Sequence, residues 1–401
     1  MTCKERFVSV YHREPVGTVF TPYRVCPIGA HIDHQLGHIT GFAIDKGIHI
    51  AYGPKMNGVV EITSMQFPKR AQWHVCSVPE AREGDWADHL RGATLSLGKR
   101  YPLRVGLCAI IDGELPIGGL SSSAAVIITF ISALCRLNNI TLSARELIEI
   151  SKEAENAYVG VACGKLDQSC EIYCKRDHLL YMDLRDDSME LIPKPENMKP
   201  FKIAIFFSGV ERSLASSAFN MRVDECRAAA YMLLAYAGKP YGKFADTNFR
   251  DVPYELFEKY GDRLPEPFYN RAVHWYGEFD RVKRGADAWR RGDIEEFGRI
   301  SFESGRSSIA NWQTGSPELK RLYEIMTGCD GIYGGRFSGA GFKGCCMALI
   351  DPEKEKSILE YVEREYLASF PELADKYAAF ICNSADGIDF ADNGFIVKEE
   401  R

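Results

Sequence analysis

Residues 115–137 read "LPIGGLSSSAAVIITFISALCRL". Pro116 and the pair Gly118–Gly119 punctuate the chain and end whatever precedes them. From Ala124 to Leu137 the segment is apolar, carries alanine and leucine, and is too long for a strand, which predicts a buried helix. Ser121, Ser122 and Ser123 open it. A helix N-terminus has unpaired N–H groups and a partial positive charge, so it attracts anions. Glycine lets the backbone approach a phosphate, and a serine hydroxyl can cap the helix, bond a phosphate oxygen or ligate magnesium. A plain N-cap needs one serine. Three serines behind two glycines exceed that need and favour a phosphate site.

Downstream, "LSARELIEISKEAENAYVG" opens with Ser143 and Glu146, the S-x-x-E capping box, and continues with helical apolar spacing to Gly160. Glu155 stands on this helix beside an apolar face of Leu147, Ile150, Ala154 and Ala157. Twelve residues later Asp167 sits in "CGKLDQS". A base paired with a metal ligand is one reading of these two acids. A loop acid and a solvated helix glutamate is the plainer one. A second glycine loop, "RFSGAGFKGCCMAL" at 336–349, lies between strand-like runs and by itself reads as a structural turn. Upstream, "RVCPIGAHIDHQLGH" at 24–38 gathers Arg24, Cys26, His31, Asp33, His34 and His38. Metal site, sugar pocket and polar loop are all open readings there. Glycine and proline deny the histidines a fixed helical face, which disfavours zinc.

Two nucleotide fingerprints fail. "GVACGKL" at 160–166 has too few residues between its glycines for a P-loop and ends in leucine. Gly339, Gly341 and Gly344 spell G-x-G-x-x-G, but a strand-like "CCMALI" follows instead of a helix, against a dinucleotide fold.

The whole chain has 401 residues, 46% hydrophobic and 26% charged, the profile of a globular protein with room for two domains. The proline-bearing stretch 187–200 marks the expected boundary, giving domains at 1–195 and 196–401. Strand-like runs lie at 18–26, 47–52, 104–111 and 202–208, with a strand–loop–strand at 331–350. Helical stretches lie near 214–237, 269–311 and 353–369. Thirteen cysteines without a C-x-x-C pair read as reduced, mostly buried thiols. The net charge of −6 gives no general attraction to nucleic acid or anionic membrane. With neither a signal peptide nor a membrane span in the pattern, a cytoplasmic location is expected.

In order along the chain, "R-V-x-x-I-G-x-H-x-D" from Arg24 to Asp33, "GLSSSA" from Gly119 to Ala124, "CG-x-x-DQ" from Cys163 to Gln168 and "G-A-G-F-x-G" from Gly339 to Gly344 resemble the GHMP kinases, and within them the galactokinase group. "DWADHLRGA" at 85–93 and "SLASS" at 213–217 extend the likeness over nearly the whole chain. The resemblance implies an α/β (α+β) two-domain fold. Its N-terminal half is like the second domain of ribosomal protein S5, and its C-terminal half is ferredoxin-like with the glycine-rich loop at 338–345. It implies ATP and Mg2+, and phosphorylation of the anomeric hydroxyl of a galactose-configured sugar. No obligate protein partner is implied. Asp167 matches the family's catalytic base and Arg24 the arginine beside it. Gly118, Gly119, Leu120, Ser121, Ser122, Ser123 and Ala124, with Gly339 and Gly341, match the ATP site. Ser123 and Glu155 match the magnesium ligands. His31 and Asp33 match sugar contacts, and Gly164, Lys165, Ala30 and Phe219 fall at sugar-facing positions.

Departures from the family pattern carry the specificity. The signature normally has glutamate before the histidine, where it meets the sugar's 6-hydroxyl. Here it is Ala30. A glutamate facing a carboxylate is a like-charge clash, and alanine removes both the acceptor and the clash. "PYRVCPIGAHIDHQ", "RVDEC" at 222–226 and "GFKGCC" at 341–346 look most like the galacturonokinase branch, so D-galacturonic acid is expected ahead of galactose. Lys165, Arg212, His31 and His34 are candidate partners of the uronate, with Lys165 where the family usually has an apolar residue. Phe219 stands where a tyrosine usually reaches the sugar, and the phosphate loop is one residue short with its serines intact. The competing readings are a galactokinase, an arabinokinase and a non-catalytic galactokinase-like sugar sensor.

Overall fold

The computed structural model describes residues 1–210 and 215–389. Among the described residues the strands form two sheets. The first is built around β2 (His38–Lys55), 18 residues long. Its two ends pair with different partners. Residues 38–41 lie against β6 (His178–Asp183), which in turn pairs with β7 (Ser188–Pro193). Residues 42–52 lie against β1 (Gly17–Val25), and 48–55 against β5 (Gly106–Gly113). β3 (Val59–Ser64) adds to β5 in parallel, and β4 (Ala71–His74) closes that edge. The second sheet is antiparallel, in the order β11-β8-β10-β9. Its strands are β8 (Lys202–Phe207), β9 (Ile332–Phe337), β10 (Cys345–Ile350) and β11 (Ala378–Cys382). The short β12 (Ser384–Ala385) then crosses back to pair with Ala43 and Ile44 of the first sheet.

The helices are α1 (Cys3–Tyr11), α2 (Asp88–Gly98), α3 (Ser122–Leu137), α4 (Ala144–Glu153), α5 (Leu166–Tyr173) and α6 (Ala215–Tyr236) in the first part of the chain. There follow α7 (Tyr254–Tyr260), α8 (Glu266–Arg290), α9 (Ile294–Ala310), α10 (Pro317–Gly328) and α11 (Glu355–Ser369). α3 is the buried helix expected from its sequence. Ile127, Ile128, Phe130, Ile131 and Leu134 are each fully buried, and side chains of this kind stabilise by about 1.5–3 kcal/mol apiece relative to exposure. α4 starts on the expected Ser143–Glu146 capping box. The helical stretch near 269–311 is two helices, broken where Gly292 takes φ +76°. Among the described residues no helix is long and apolar enough to cross a membrane.

One local irregularity matters for the site. After Glu153 the chain leaves α-helical geometry for one wider π-helical turn, Ala154–Val159, ended by Gly160 at φ +81°. A π turn shifts the side chains that follow it round the helix and often marks a functional position.

Candidate active site

A cleft opens between the two sheets' loops. Its lining brings together residues that are far apart in sequence: Arg24, Ala30, His31 and Asp33, then Ser121, Ser122 and Ser123, then Glu155, Asp167, Phe219 and Gly339.

Arg24, next to last in β1, stands beside this cleft and is almost fully buried. Its Nε and Nη2 both donate to Asp167 Oδ1, at 2.8 and 2.6 Å, and its Nη1 donates to the carbonyl of Gly119 at 3.2 Å. One guanidinium therefore joins the first turn of α5 to the phosphate loop. Burial disfavours the cation, but the charge and hydrogen bonds of Asp167 outweigh it and raise the arginine's pKa, so the guanidinium stays charged.

The phosphate loop departs from a plain cap. Ser121 takes φ +57°, and no side chain caps α3. The Ser121 hydroxyl is buried with no hydrogen-bond partner. The first N–H groups of a 16-residue helix thus face the cleft with no side chain in competition. Leu120 and Ala124 lie behind them, fully buried, and frame the loop from the core side.

The glycine-rich loop packs against the phosphate loop, backbone to backbone. A Cβ on Gly339 would stand 2.9 Å from Gly119 Cα, and one on Gly344 would stand 2.8 Å from the Gly118 carbonyl carbon. The loop is a tight turn, as its sequence suggested, and what it packs against is the phosphate loop. Gly339 lines the cleft together with Ala340, Phe342 and Lys343. Gly341 faces Thr314 instead, with its would-be Cβ 3.0 Å from that methyl.

The signature loop supplies the other wall. Ala30 is 5% exposed and lines the cleft, so no carboxylate reaches it from this position. His31, at φ +67°, stacks on Trp312 with ring centroids 4.9 Å apart and planes 6° from parallel, and its Nε2 is buried without a partner. Burial first, and then the positive charges of Arg336 and Arg24, hold its pKa well below the usual imidazole value. Asp33 backs onto Gly164, where a Cβ would stand 2.4 Å from Oδ2. Burial and then the charge of Asp167 push the Asp33 carboxyl up to about 6. Glu155, on the π turn, is buried. Its Oε2 accepts from Gln168 Nε2 at 2.7 Å and from the Cys163 thiol at 3.4 Å. Phe219 lines the cleft and meets the edge of His34 at 5.9 Å.

The structure does not bring the other expected residues to this cleft. Lys165 pairs with Glu149 at 2.6 Å and with Asp187 at 2.9 Å, and with Gly164 it borders a neighbouring recess. His34 borders that recess too. His38 lies in β2, where its Nε2 meets Asp183 at 2.8 Å and its Nδ1 meets the Tyr181 hydroxyl at 2.5 Å. His38 thus stands apart, while the rings of His31 and His34 both pack against Trp312, at 4.9 and 5.5 Å. Arg212 lies outside the described residues, as does the start of the "SLASS" stretch. His89, Cys163 and Lys343 line the cleft without having been anticipated. Only Lys343, a cation inside a glycine loop, carried any signal in the sequence.

Comparison with known proteins agrees with this geometry. The family descriptions "GHMP kinases N terminal domain", "GHMP kinases C terminal" and "Galactokinase galactose-binding signature" match residues 88–175, 286–368 and 5–54. A galacturonokinase from Arabidopsis thaliana is 36% identical over 395 residues, covering 92% of each chain. A galactokinase from Roseiflexus sp. (strain RS-1) is 30% identical over 388 residues, covering 96% of this chain and 95% of its own. Among solved structures, Lactococcus lactis galactokinase complexed with galactose matches with a TM-score of 0.87 at 24% identity, over 96% of this chain and 98% of that one, a likeness of fold. The chain belongs to the GHMP kinases, in the galactokinase family. It is an ATP-dependent sugar kinase.

Proposed function

We propose that this kinase phosphorylates the anomeric hydroxyl of D-galacturonic acid. The observation that carries this reading is Ala30, on the cleft wall where the family's signature normally places a glutamate. A buried carboxylate there would repel a sugar acid, while the methyl group leaves room for one. The surroundings add to this. Burial keeps His31 uncharged, and its unpartnered Nε2 is available to hydrogen-bond a sugar oxygen. The relative named as a galacturonokinase, at 36% identity over nearly the full length, supports the same substrate.

The chemistry assigned to the site is positional and electrostatic. The anomeric oxygen attacks the γ-phosphorus of ATP, its proton passes to Asp167, and the bond from phosphorus to the departing ADP oxygen breaks. Arg24 holds Asp167 in orientation while its other arm steadies the phosphate loop. The bare N-terminus of α3, with Ser121 to Ser123, receives the phosphates. Ser123 and Glu155 offer a hydroxyl and a buried carboxylate to one cleft, oxygen donors that suit magnesium. Bound there, the ion would neutralise charge developing on the phosphates.

The test is a sugar panel with magnesium and ATP, read as ADP release. Galacturonate turned over much faster than galactose or arabinose is the expected result. Galactose preferred by a large factor would replace this reading with a galactokinase.

A further inference from the structure

The loop bearing Ala30, His31 and Asp33 leads into the first sheet, yet it is held largely from α8 and α9. Ser301 Oγ donates to the Pro27 carbonyl at 2.9 Å. The Gly29 N–H donates to Glu278 Oε1 at 2.6 Å. His274 lies 3.1 Å by its Nε2 from the Ala30 carbonyl and 3.0 Å by its Nδ1 from Ser307 Oγ. A carbonyl can only accept, so Nε2 carries the proton, and Nδ1 accepts from the serine. β2 adds Thr40 Oγ1 to the Ile28 carbonyl at 2.6 Å. Every residue from Pro27 to Ala30 is therefore pinned through its backbone.

Glu278 is the centre of this clamp and is fully buried. Besides the Gly29 N–H, its Oε1 receives the Ser304 hydroxyl and Arg336 Nη1, the latter at 3.4 Å. Its Oε2 receives Arg281 Nε at 2.7 Å. Burial alone would push this carboxyl upward, but Arg281, Arg336 and the Ser304 hydroxyl outweigh it and hold it down at about 2. Arg336, also fully buried, stands near the end of β9. Its Nη2 donates to Ser308 Oγ at 2.8 Å and its Nε to the Phe337 carbonyl at 3.1 Å, where the chain enters the glycine-rich loop. A buried ion pair is weak as a source of stability, since well-packed apolar residues often do as well. What this one supplies is a fixed distance between two loops.

We propose that Glu278 is a positioning residue for sugar recognition, fixing the Gly29 peptide and, through Arg336, its register against the glycine-rich loop. This rests on the reading that positions 30–33 face the sugar. Glu278→Gln keeps the shape but turns an NH2 toward donors that need an acceptor. Steady-state kinetics on the full chain, below its thermal transition, use whichever of galacturonate and galactose the wild type turns over faster. If that sugar is galactose, the substrate reading fails while the Glu278 test still runs. The expected result is a sugar KM raised about tenfold, with the ATP KM within about twofold and kcat within about threefold. A purely structural role would lower the melting temperature and the active fraction, and leave both KM values alone. A sugar KM within about twofold of wild type overturns the proposal. Should that variant fail to fold, Ser304→Ala removes a single donor to the same carboxylate. A sugar KM raised about threefold supports the proposal, and an unchanged one overturns it.

Discussion

Arg24 grips Asp167 by one oxygen: Nε and Nη2 converge on Oδ1, at 2.8 and 2.6 Å. Oδ2 is thereby left to a different donor, as a base that receives a sugar hydroxyl proton requires. Asp167→Asn should lower kcat by about 10³-fold, within the range for loss of a general base, with sugar and ATP still binding in calorimetry. Arg24→Lys should also be severely impaired, because a single ammonium cannot make the forked contact and reach the Gly119 carbonyl together. Turnover close to wild type in Asp167→Asn would remove this residue from the role of base.

Ala30→Glu tests whether position 30 faces carbon 6 of the sugar. The new carboxylate would enter a nearly dry part of the cleft beside His31. The expected effect is a fall of about tenfold or more in kcat/KM for galacturonate, equivalent to about 1.4 kcal/mol, with galactose affected less. Unchanged galacturonate kinetics would mean that carbon 6 lies elsewhere.

Asp33 should give a pH signature of its own. Its carboxyl is pushed from the ordinary 3.8 to about 6, by burial and then by the charge of Asp167. A raised carboxyl holds its proton in the folded state after the unfolded chain has released it. Stability therefore falls as pH rises from about 4 to about 6, by up to about 3 kcal/mol. Asp33→Asn removes that loss. It should be more stable than wild type at pH 7, with the gap closing near pH 4, while sugar binding is lost. Wild-type sugar affinity should weaken below about pH 6, as the acceptor becomes protonated. Urea titrations of both proteins at the two pH values are decisive, and a gap independent of pH would contradict the assignment.

Lys165 offers a contrasting case. Its ammonium is held by Glu149 and Asp187, and Asp187 also pairs with Arg145 at 3.0 Å. Lys165→Met should cost about 1 kcal/mol of stability and leave the sugar KM unchanged. A large rise in sugar KM would bring this lysine back to the uronate.

These contrasts show what could be read in advance. The apolar run after Ser123 had to be a buried helix, and four motifs in fixed order specified both the family and the Arg24–Asp167 pair. The direction of Lys165 was not legible, because it is set by Asp187, 22 residues further on and in another turn of the fold. The π turn under Glu155 has no residue-type signature, so the local pattern favoured a solvated helix glutamate where the family resemblance implied a magnesium ligand, and the side chain is buried. Only part of β2 was visible, since Gly41 and Gly47 interrupt its β-branched residues. Glu278 and Arg336 were silent for a similar reason. A charged residue in a helix, such as Glu278, or in a strand, such as Arg336, looks the same whether it faces water or a buried partner far away in sequence.

The contact between the phosphate loop and the glycine-rich loop restricts how this enzyme can change. Gly118 meets Gly344 and Gly119 meets Gly339, each within about 3 Å of where a side chain would begin. Elsewhere in a protein, a residue that grows can be accommodated by trimming its neighbour. At Gly118, Gly339 and Gly344 the facing residue is already the smallest one available, so nothing is left to trim. Each substitution must instead be absorbed by movement of the backbone proposed to frame the phosphates. Selection for new substrates in this scaffold should therefore alter the sugar wall around position 30 and leave both glycine pairs untouched.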